Sequence, residues 1–412
     1  MDKGKQRSVK SVGINLLMIN AFVYVALSVY QPYLSAYYTS EGLTASEIGI
    51  ILAIGPIVSI LIQPIWARIS DRTGRRKDIF SLVALGAAIA ILTPYLGHSF
   101  GVYFISTFLF SSFTMAIIPL SDAIIVQQAH KYHLDYAKLR MGGTIGWSIT
   151  VYLGGLILNV QPSFLFIMGS MGYLAMFLLA RWLPAAVNEQ KHPAVYQSEP
   201  AVKDAGGATD KPKEKGFLGV FKTPECMFVL ALAFINQVGL QFNTGYLGMY
   251  VVSIGQPQST IGILNSISAL SEIPILICIN KMSKKFGAIR ILIFACIMLS
   301  LRIFLVTLGV LPAFMLAQAM QGLTYMTVHF CCVAWIYDNV LEGRVSQGQS
   351  MLAMLQMGAG AILGSILGGF VVDNLGLKTA YLTISGCVLT LTLLLAVAYY
   401  FFSRKRNRVI QQ

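Results

Sequence analysis

Trp66-Ala67-Arg68-Ile69-Ser70-Asp71-Arg72-Thr73-Gly74-Arg75-Arg76-Lys77 is a short charged stretch between two apolar runs, at 46–67 and 79–97. Each run has roughly the 20 apolar residues a helix needs to cross a hydrocarbon core. The cations between them do not belong in that core, so they mark one face of a membrane. Gly74 permits the tight turn that sends the chain back across.

The same alternation extends in both directions. Apolar runs recur at 12–37, 46–67, 79–97, 101–127, 138–159, 163–183, 225–252, 259–280, 288–309, 312–338, 347–372 and 378–402. They predict an all-α membrane protein of twelve transmembrane helices. Composition agrees: 56% of the 412 residues are hydrophobic, 11% are charged, and the mean hydropathy is +0.69. Soluble chains carry about 25% charged residues. The formal net charge of +13 invites a nucleic-acid reading, but the cations lie in short clusters between apolar runs, as positive-inside topology requires. No nucleic-acid partner is expected. Lys3, Lys5, Arg7 and Lys10 precede the first run, which has no A-x-A cleavage site. It reads as a first spanning helix and not a removable signal.

Orientation follows from the same charges. With the N-terminus inside, only Lys378 of the 30 Lys and Arg residues falls in an outer loop, and only Arg302 lies within a late span. Both termini are therefore expected in the cytoplasm. The long polar stretch near 184–223 reads as a cytoplasmic linker. It divides the chain into a six-helix bundle at 1–183 and another at 224–412. The halves also repeat. Gly49 and Gly262, Gly74 and Gly287, and Tyr33 and Tyr246 are all 213 positions apart. Three matches in one register predict a six-plus-six repeat, with solute bound near the midplane between the halves.

The charged stretch resembles the loop signature of the major facilitator superfamily, G-x-x-x-D-R-x-G-R-R. Asp71, Arg72, Gly74, Arg75 and Arg76 match, and Ala67 stands where the family has Gly. The resemblance implies a gating motif. Asp71 would pair with a cation or a helix N-terminus of the other half in one conformation only. The alternative is that these cations merely anchor the loop inside.

Charged and ionisable residues within spans invite a functional reading, because a charge at the bilayer centre costs about 2.5–3.5 kcal/mol on insertion scales. Here they are Asp122, Arg140, Glu272, Arg302 and His329. Asp122 and Arg140 are candidates to pair. Trp147 lies two helical turns past Arg140, on the same face. This trio resembles the lactose permease pattern of an acid, an Arg and a Trp at the same spacings, with Asp in place of Glu. The resemblance implies substrate binding by Asp122, Arg140 and Trp147. A structural salt bridge and a packing or interfacial Trp are the alternatives.

Glu272 precedes Pro274, which removes a backbone hydrogen bond beside the acid. His329 is the one histidine well inside an expected span, and histidine ordinarily titrates near physiological pH. Glu272, Arg302 and His329 resemble the proton-coupling cluster of the lactose and phenylpropionate permease group. Where lactose permease carries a His and an acid, chain position here gives Gln321, Gly322 and Tyr325. A packing histidine remains the alternative for His329.

Further candidates for the cavity are Asn20, Tyr24 and Gln31 in the first expected span, and Asn236, Gln237, Gln241 and Asn243 in the seventh. Interhelical hydrogen bonding is their alternative role. Glycines four apart, Gly142 and Gly146 and then Gly360, Gly364 and Gly368, predict close helix contacts. The six cysteines have neither metal-ligand nor disulfide-framework spacing. The sequence holds no P-loop and no dinucleotide fingerprint. No metal, no cofactor and no enzymatic activity are expected. The sequence thus predicts a secondary transporter of the cell membrane: a proton symporter of a sugar, nucleoside or aromatic acid, for which a monomer suffices. A proton-antiport exporter is the alternative.

Overall fold

The computed structural model describes residues 9–183, 224–340 and 345–410. The linker expected at 184–223 lies outside the described residues. The described chain is all helix. Eleven helices are long and apolar enough to cross a membrane. The first six are α1 (Ser11–Ser40), α2 (Ala45–Thr73), α3 (Arg76–Leu96), α4 (Phe100–Lys131), α5 (Lys138–Leu158) and α6 (Phe164–Arg181). Next come α7 (Pro224–Ser253), α8 (Gln258–Ile279) and α9 (Ala288–Val306). The span expected at 312–338 is interrupted. It runs as helix Leu311–Ala319, a π-helical stretch Gly322–Met326 and helix Thr327–Asn339, together called α10. α11 (Gln347–Leu375) and α12 (Leu377–Phe402) complete the chain, and α11 has its own π-helical stretch at Met354–Gly360.

The helix ends have local causes. Thr44 and Glu47 form a capping box at the start of α2, satisfying N–H groups the helix leaves open. Gly74 ends α2 with φ +65°, a left-handed conformation that glycine adopts without steric cost. Many large apolar side chains face outward, among them Ile105, Ile277 and Leu394. So many exposed apolar side chains on long helices fit lipid as their solvent.

Packing within each half is local. α1 lies on α5 and α6, and α7 lies on α11 and α12. The glycine runs allow this approach. Gly142 and Gly146 abut the Leu17 and Ala21 carbonyls of α1, and Gly360 and Gly364 abut Gln237 and Val238 of α7. The two halves meet mainly where α2 crosses α11 and α5 crosses α8.

Those crossings end in two matching junctions. In the first, the Tyr33 hydroxyl donates to the Val151 carbonyl of α5. Gly262 of α8 packs on the same pair, and a Cβ there would sit 2.7 Å from the carbonyl oxygen and 2.8 Å from the hydroxyl. Asn159, just past α5, accepts the Ser259 N–H at 3.1 Å and donates to its hydroxyl at 3.1 Å. In the second, the Tyr246 hydroxyl donates to the Ser365 carbonyl at 2.6 Å. Gly49 of α2 packs on that pair. Asp373 of α11 accepts the N–H groups of Ala45 and Ser46 at 2.8 Å each. Tyr33, Gly262 and Asn159 thus correspond to Tyr246, Gly49 and Asp373.

Candidate functional site

A cavity of about 510 Å³ lies between the halves, within the usual range for small-molecule sites. The first half contributes Tyr24, Arg140, Thr144 and Trp147 to its wall. The second contributes Asn243, Asn265, Glu272, Arg302, Gln318, Gln321 and Tyr325.

The two arginines are held differently. The Arg140 guanidinium lies over the Tyr24 ring, 4.4 Å from its centroid, in a cation–π arrangement. It makes no ion pair with Asp122, whose Oδ1 is buried without a hydrogen-bond partner among the described residues. The expected Asp122–Arg140 pair is therefore not formed here, and Asp122 is not among the residues lining the cavity. An aromatic face has taken the cation instead.

Arg302, on α9, is only 1% exposed. Its Nη1 donates to Gln321 Oε1 and, at 3.0 Å, to Thr324 Oγ1. Its Nη2 donates to Gln318 Oε1 at 2.8 Å. Gln321 Nε2 in turn donates to Glu272 Oε1 at 3.5 Å. Glu272 and Arg302 are thus joined through an amide and not directly. His329 does not line the cavity. Its ring stacks on that of Tyr325, with centroids 6.1 Å apart, and Tyr325 does line it.

The π-helical stretch in α10 shapes this corner. Gly322 packs on the Ser271 backbone, and its N–H donates to Ser271 Oγ at 3.1 Å. That contact brings α10 against α8 beside Glu272. π-helical turns recur at functional sites because they redirect side chains within a helix.

The other expected cavity residues divide. Tyr24, Trp147 and Asn243 line the cavity. Asn20 instead accepts the Gly143 N–H at 2.9 Å and ties α1 to α5. Asn236 lies against Cys296, and Gln241 donates to Ser365 Oγ at 3.1 Å. These three serve helix packing. Gln31 is exposed and lies off the cavity. Gln318 was missed. It is three residues before Gln321 in an apolar run, so the two amides share a helix face. That spacing was the available signal.

In the α2–α3 turn, Asp71 pairs with Arg76 at 3.4 Å, and Arg75 pairs with Asp78 at 2.9 Å. Arg76 also reaches Gln127 of α4 at 3.4 Å. Arg72 is exposed. These contacts stay within the first half. The six cysteines are free, and no cluster fit to hold a metal occurs among the described residues.

Known proteins share this architecture. The solved structure of the nucleoside transporter NupG superposes with a TM-score of 0.81 at 16% identity, covering 94% of this chain and 99% of that one. The uncharacterized transporter YwbF of Bacillus subtilis is 26% identical over 66% of this chain and 64% of its own length. This chain thus spans just under two thirds of YwbF. The maltose permease of Geobacillus stearothermophilus is 24% identical over 90% of this chain and 91% of its own. The lactose permease of Klebsiella oxytoca is 22% identical over 88% of each. The match that decides the family runs over residues 14–383, and it makes this multi-pass membrane protein a member of the MFS_1 like family.

Proposed function

We propose that this chain is a secondary transporter that carries a small polar organic solute together with a proton by alternating access. One observation carries the reading: a cavity between the halves whose wall holds a buried guanidinium, Arg302, linked through Gln321 to the carboxylate of Glu272. Buried, mutually linked charges in a membrane bundle mark solute and ion paths. The permeases among its relatives support transport of a sugar or similar solute.

In this reading Arg140, Trp147, Tyr24 and Asn243 hold the solute, and Glu272 takes up the proton. Arg302 senses the charge on Glu272 through Gln321. His329 acts from behind Tyr325. Asp122 balances the charge of Arg140 without touching it. α10 crosses the bilayer despite its interruption, which brings the spans to twelve, six in 1–183 and six in 224–412, joined by a linker at 184–223. Both termini lie in the cytoplasm, and the membrane is the cell membrane. The two tyrosine junctions then close the outer face. Asp71, now paired with Arg76 of its own loop, changes partner when the inner face closes. A single chain forms the whole path, so a monomer transports.

The test is solute-driven alkalinisation of a weakly buffered suspension of cells expressing the protein, with sugars, nucleosides and aromatic acids added singly. Alkalinisation by one class, lost in Glu272→Gln while solute binding persists, is the expected result. Uptake with unchanged proton movement in Glu272→Gln would remove the coupling role. Flux only outward from the cytoplasm would replace import with export.

A further inference from the structure

The turns that follow α2 and α8 stand 213 positions apart and differ in charge balance. In the first, Asp71 pairs with Arg76 and Asp78 with Arg75. In the second, Lys284 stands where the first has Asp71, and Ile291 stands where it has Asp78. Lys281, Lys284, Lys285 and Arg290 are all exposed there. None of them is in an ion pair among the described residues. Lys281 lies three and four residues before the other two lysines, and like charges at that helical spacing repel. The first turn carries its own counterions; the second has cations only.

The place of these cations on the helix says what kind of partner they meet. The helix of α8 is continuous from Gln258 to Phe286. Leu270, Ile273 and Ile277 are 54%, 46% and 73% exposed. At spacings of three and four residues they form one outward apolar stripe. Lys281 and Lys284 continue that stripe at the same spacings. Four residues of helix rise about 6 Å, so the lysines lie just past side chains that face lipid, where headgroups begin. The other end of the stripe enters a groove. A second cavity, about 550 Å³, lies between α5 and α8. Ile145, Ile149 and Leu153 of α5 line it, with Ser266, Leu270 and Ile273 of α8. The Ser266 hydroxyl is already spent on the Ser148 carbonyl at 2.9 Å, which leaves an apolar lining. From Ile277 to Ser266 the helix rises about 16 Å, the hydrocarbon depth of one leaflet.

We propose that an anionic phospholipid docks along this face of α8, with its headgroup on Lys281, Lys284 and Lys285 and one acyl chain in the groove between α5 and α8. The cations lack negative charge, and the groove accepts hydrocarbon. A phospholipid supplies both in one molecule, at the separation that the helix sets. The α5–α8 crossing is one of the two main contacts between the halves, so the chain in the groove touches both halves and the lipid stabilises their present arrangement. The lipid site does not depend on the solute reading, and the failure of either leaves the other standing.

The test titrates three probes into the full-length protein in dodecylmaltoside micelles: dioleoylphosphatidylglycerol, dioleoylphosphatidylcholine and glycerol 3-phosphate. Binding is read as the rise in unfolding temperature. Phosphatidylglycerol should raise it saturably, and the other two should leave it in place. The triple variant Lys281→Gln, Lys284→Gln, Lys285→Gln should need roughly tenfold more phosphatidylglycerol for half the rise, or worse. The same three positions changed to Arg should keep the parent's response. Arg68→Gln, Lys131→Gln and Arg181→Gln together remove the same charge from helix ends of the first half, and should also keep it. Ile149→Trp fills the groove and should weaken the response with the lysines intact. Equal weakening by the two Gln triples would reduce the effect to diffuse charge and overturn the proposal. So would a rise with glycerol 3-phosphate equal to that with phosphatidylglycerol, which would mean a site for free anions. An equal rise with phosphatidylcholine, no rise with phosphatidylglycerol, or an unchanged response in Ile149→Trp would overturn it as well.

Discussion

The two junctions between the halves share one skeleton and differ in chemistry. Both seat a tyrosine hydroxyl on a helix carbonyl of the same half, and both close over a glycine from the other half. Gly42 and Gly255, in the turns before α2 and α8, both have positive φ, at 84° and 75°. The caps differ. The α2 end has a capping box from Thr44 and Glu47 and the carboxylate of Asp373. The α8 end begins at Pro257 without a side-chain cap of its own and relies on the amide of Asn159. Close approach of backbones tolerates only glycine, so a repeat preserves it. A cap needs only an acceptor, so charge can change between copies.

The glycines should break the comparison most strongly. Gly49→Ala and Gly262→Ala should each destabilise the purified protein by roughly 1–3 kcal/mol, as overpacking does. The two losses should be similar, because both new Cβ atoms meet a carbonyl and a tyrosine hydroxyl. Unfolding in mixed micelles measures this, and a harmless Gly49→Ala would mean the crossing is looser than the packing implies.

The caps should separate the junctions. Asp373→Ala removes two 2.8 Å bonds and a charge at a helix N-terminus, at a cost of about 1–2 kcal/mol. Asn159→Ala removes neutral bonds of 3.1 Å, at about 0.5–1 kcal/mol. High salt should narrow the gap, since screening acts on the charge. Equal losses at all salt concentrations would make the carboxylate no better than the amide.

Tyr33→Phe and Tyr246→Phe come next, at about 0.5–1.5 kcal/mol each. Tyr246 should cost slightly more, because the Ala45 carbonyl lies 3.3 Å away as a second acceptor. The smallest effect concerns an asymmetry with no counterpart. Glu41, in the turn after α1, accepts from Tyr103 at 2.8 Å and lies 2.7 Å from His98 Nδ1. Its position in the second half is Ile254. Burial pushes the Glu41 carboxyl up, but its bonds to His98 and Tyr103 outweigh that and leave it below its ordinary value. A lowered carboxylate adds stability above its unfolded value, and that stability is lost as pH falls through the folded one. Glu41→Gln should therefore be less stable than the parent near pH 7, with the difference closing as pH falls below about 4. A constant difference across that range would mean the ionised form has no special role.

The helix positions were legible because apolar runs of membrane length have few other readings. The repeat was legible from Tyr33, Gly49 and Gly74 and their mates. The break in α10 was not legible. Nothing local marks Gly322–Met326 as π-helical, and the packing of Gly322 on Ser271 is a tertiary contact. The cavity lining was half legible. Arg140, Glu272 and Arg302 stand out as costly charges in an apolar run, and Trp147 stands out by its spacing from Arg140. Asn20, Asn236 and Gln241 stand out equally, yet their amides are turned toward neighbouring helices.

The sequence by itself determined that this chain lives in lipid, where its helices run, and that tyrosine and glycine positions recur 213 residues apart. Hydropathy and spacing carry that information locally, because the bilayer imposes length and polarity on each helix separately. Only the tertiary structure decided which polar groups face the cavity. A buried polar group in lipid must find a partner, and the rotation and contact of neighbouring helices select that partner. Thus Arg140 lies on Tyr24, Arg302 is shared by two glutamines, and only one of those glutamines already holds a carboxylate.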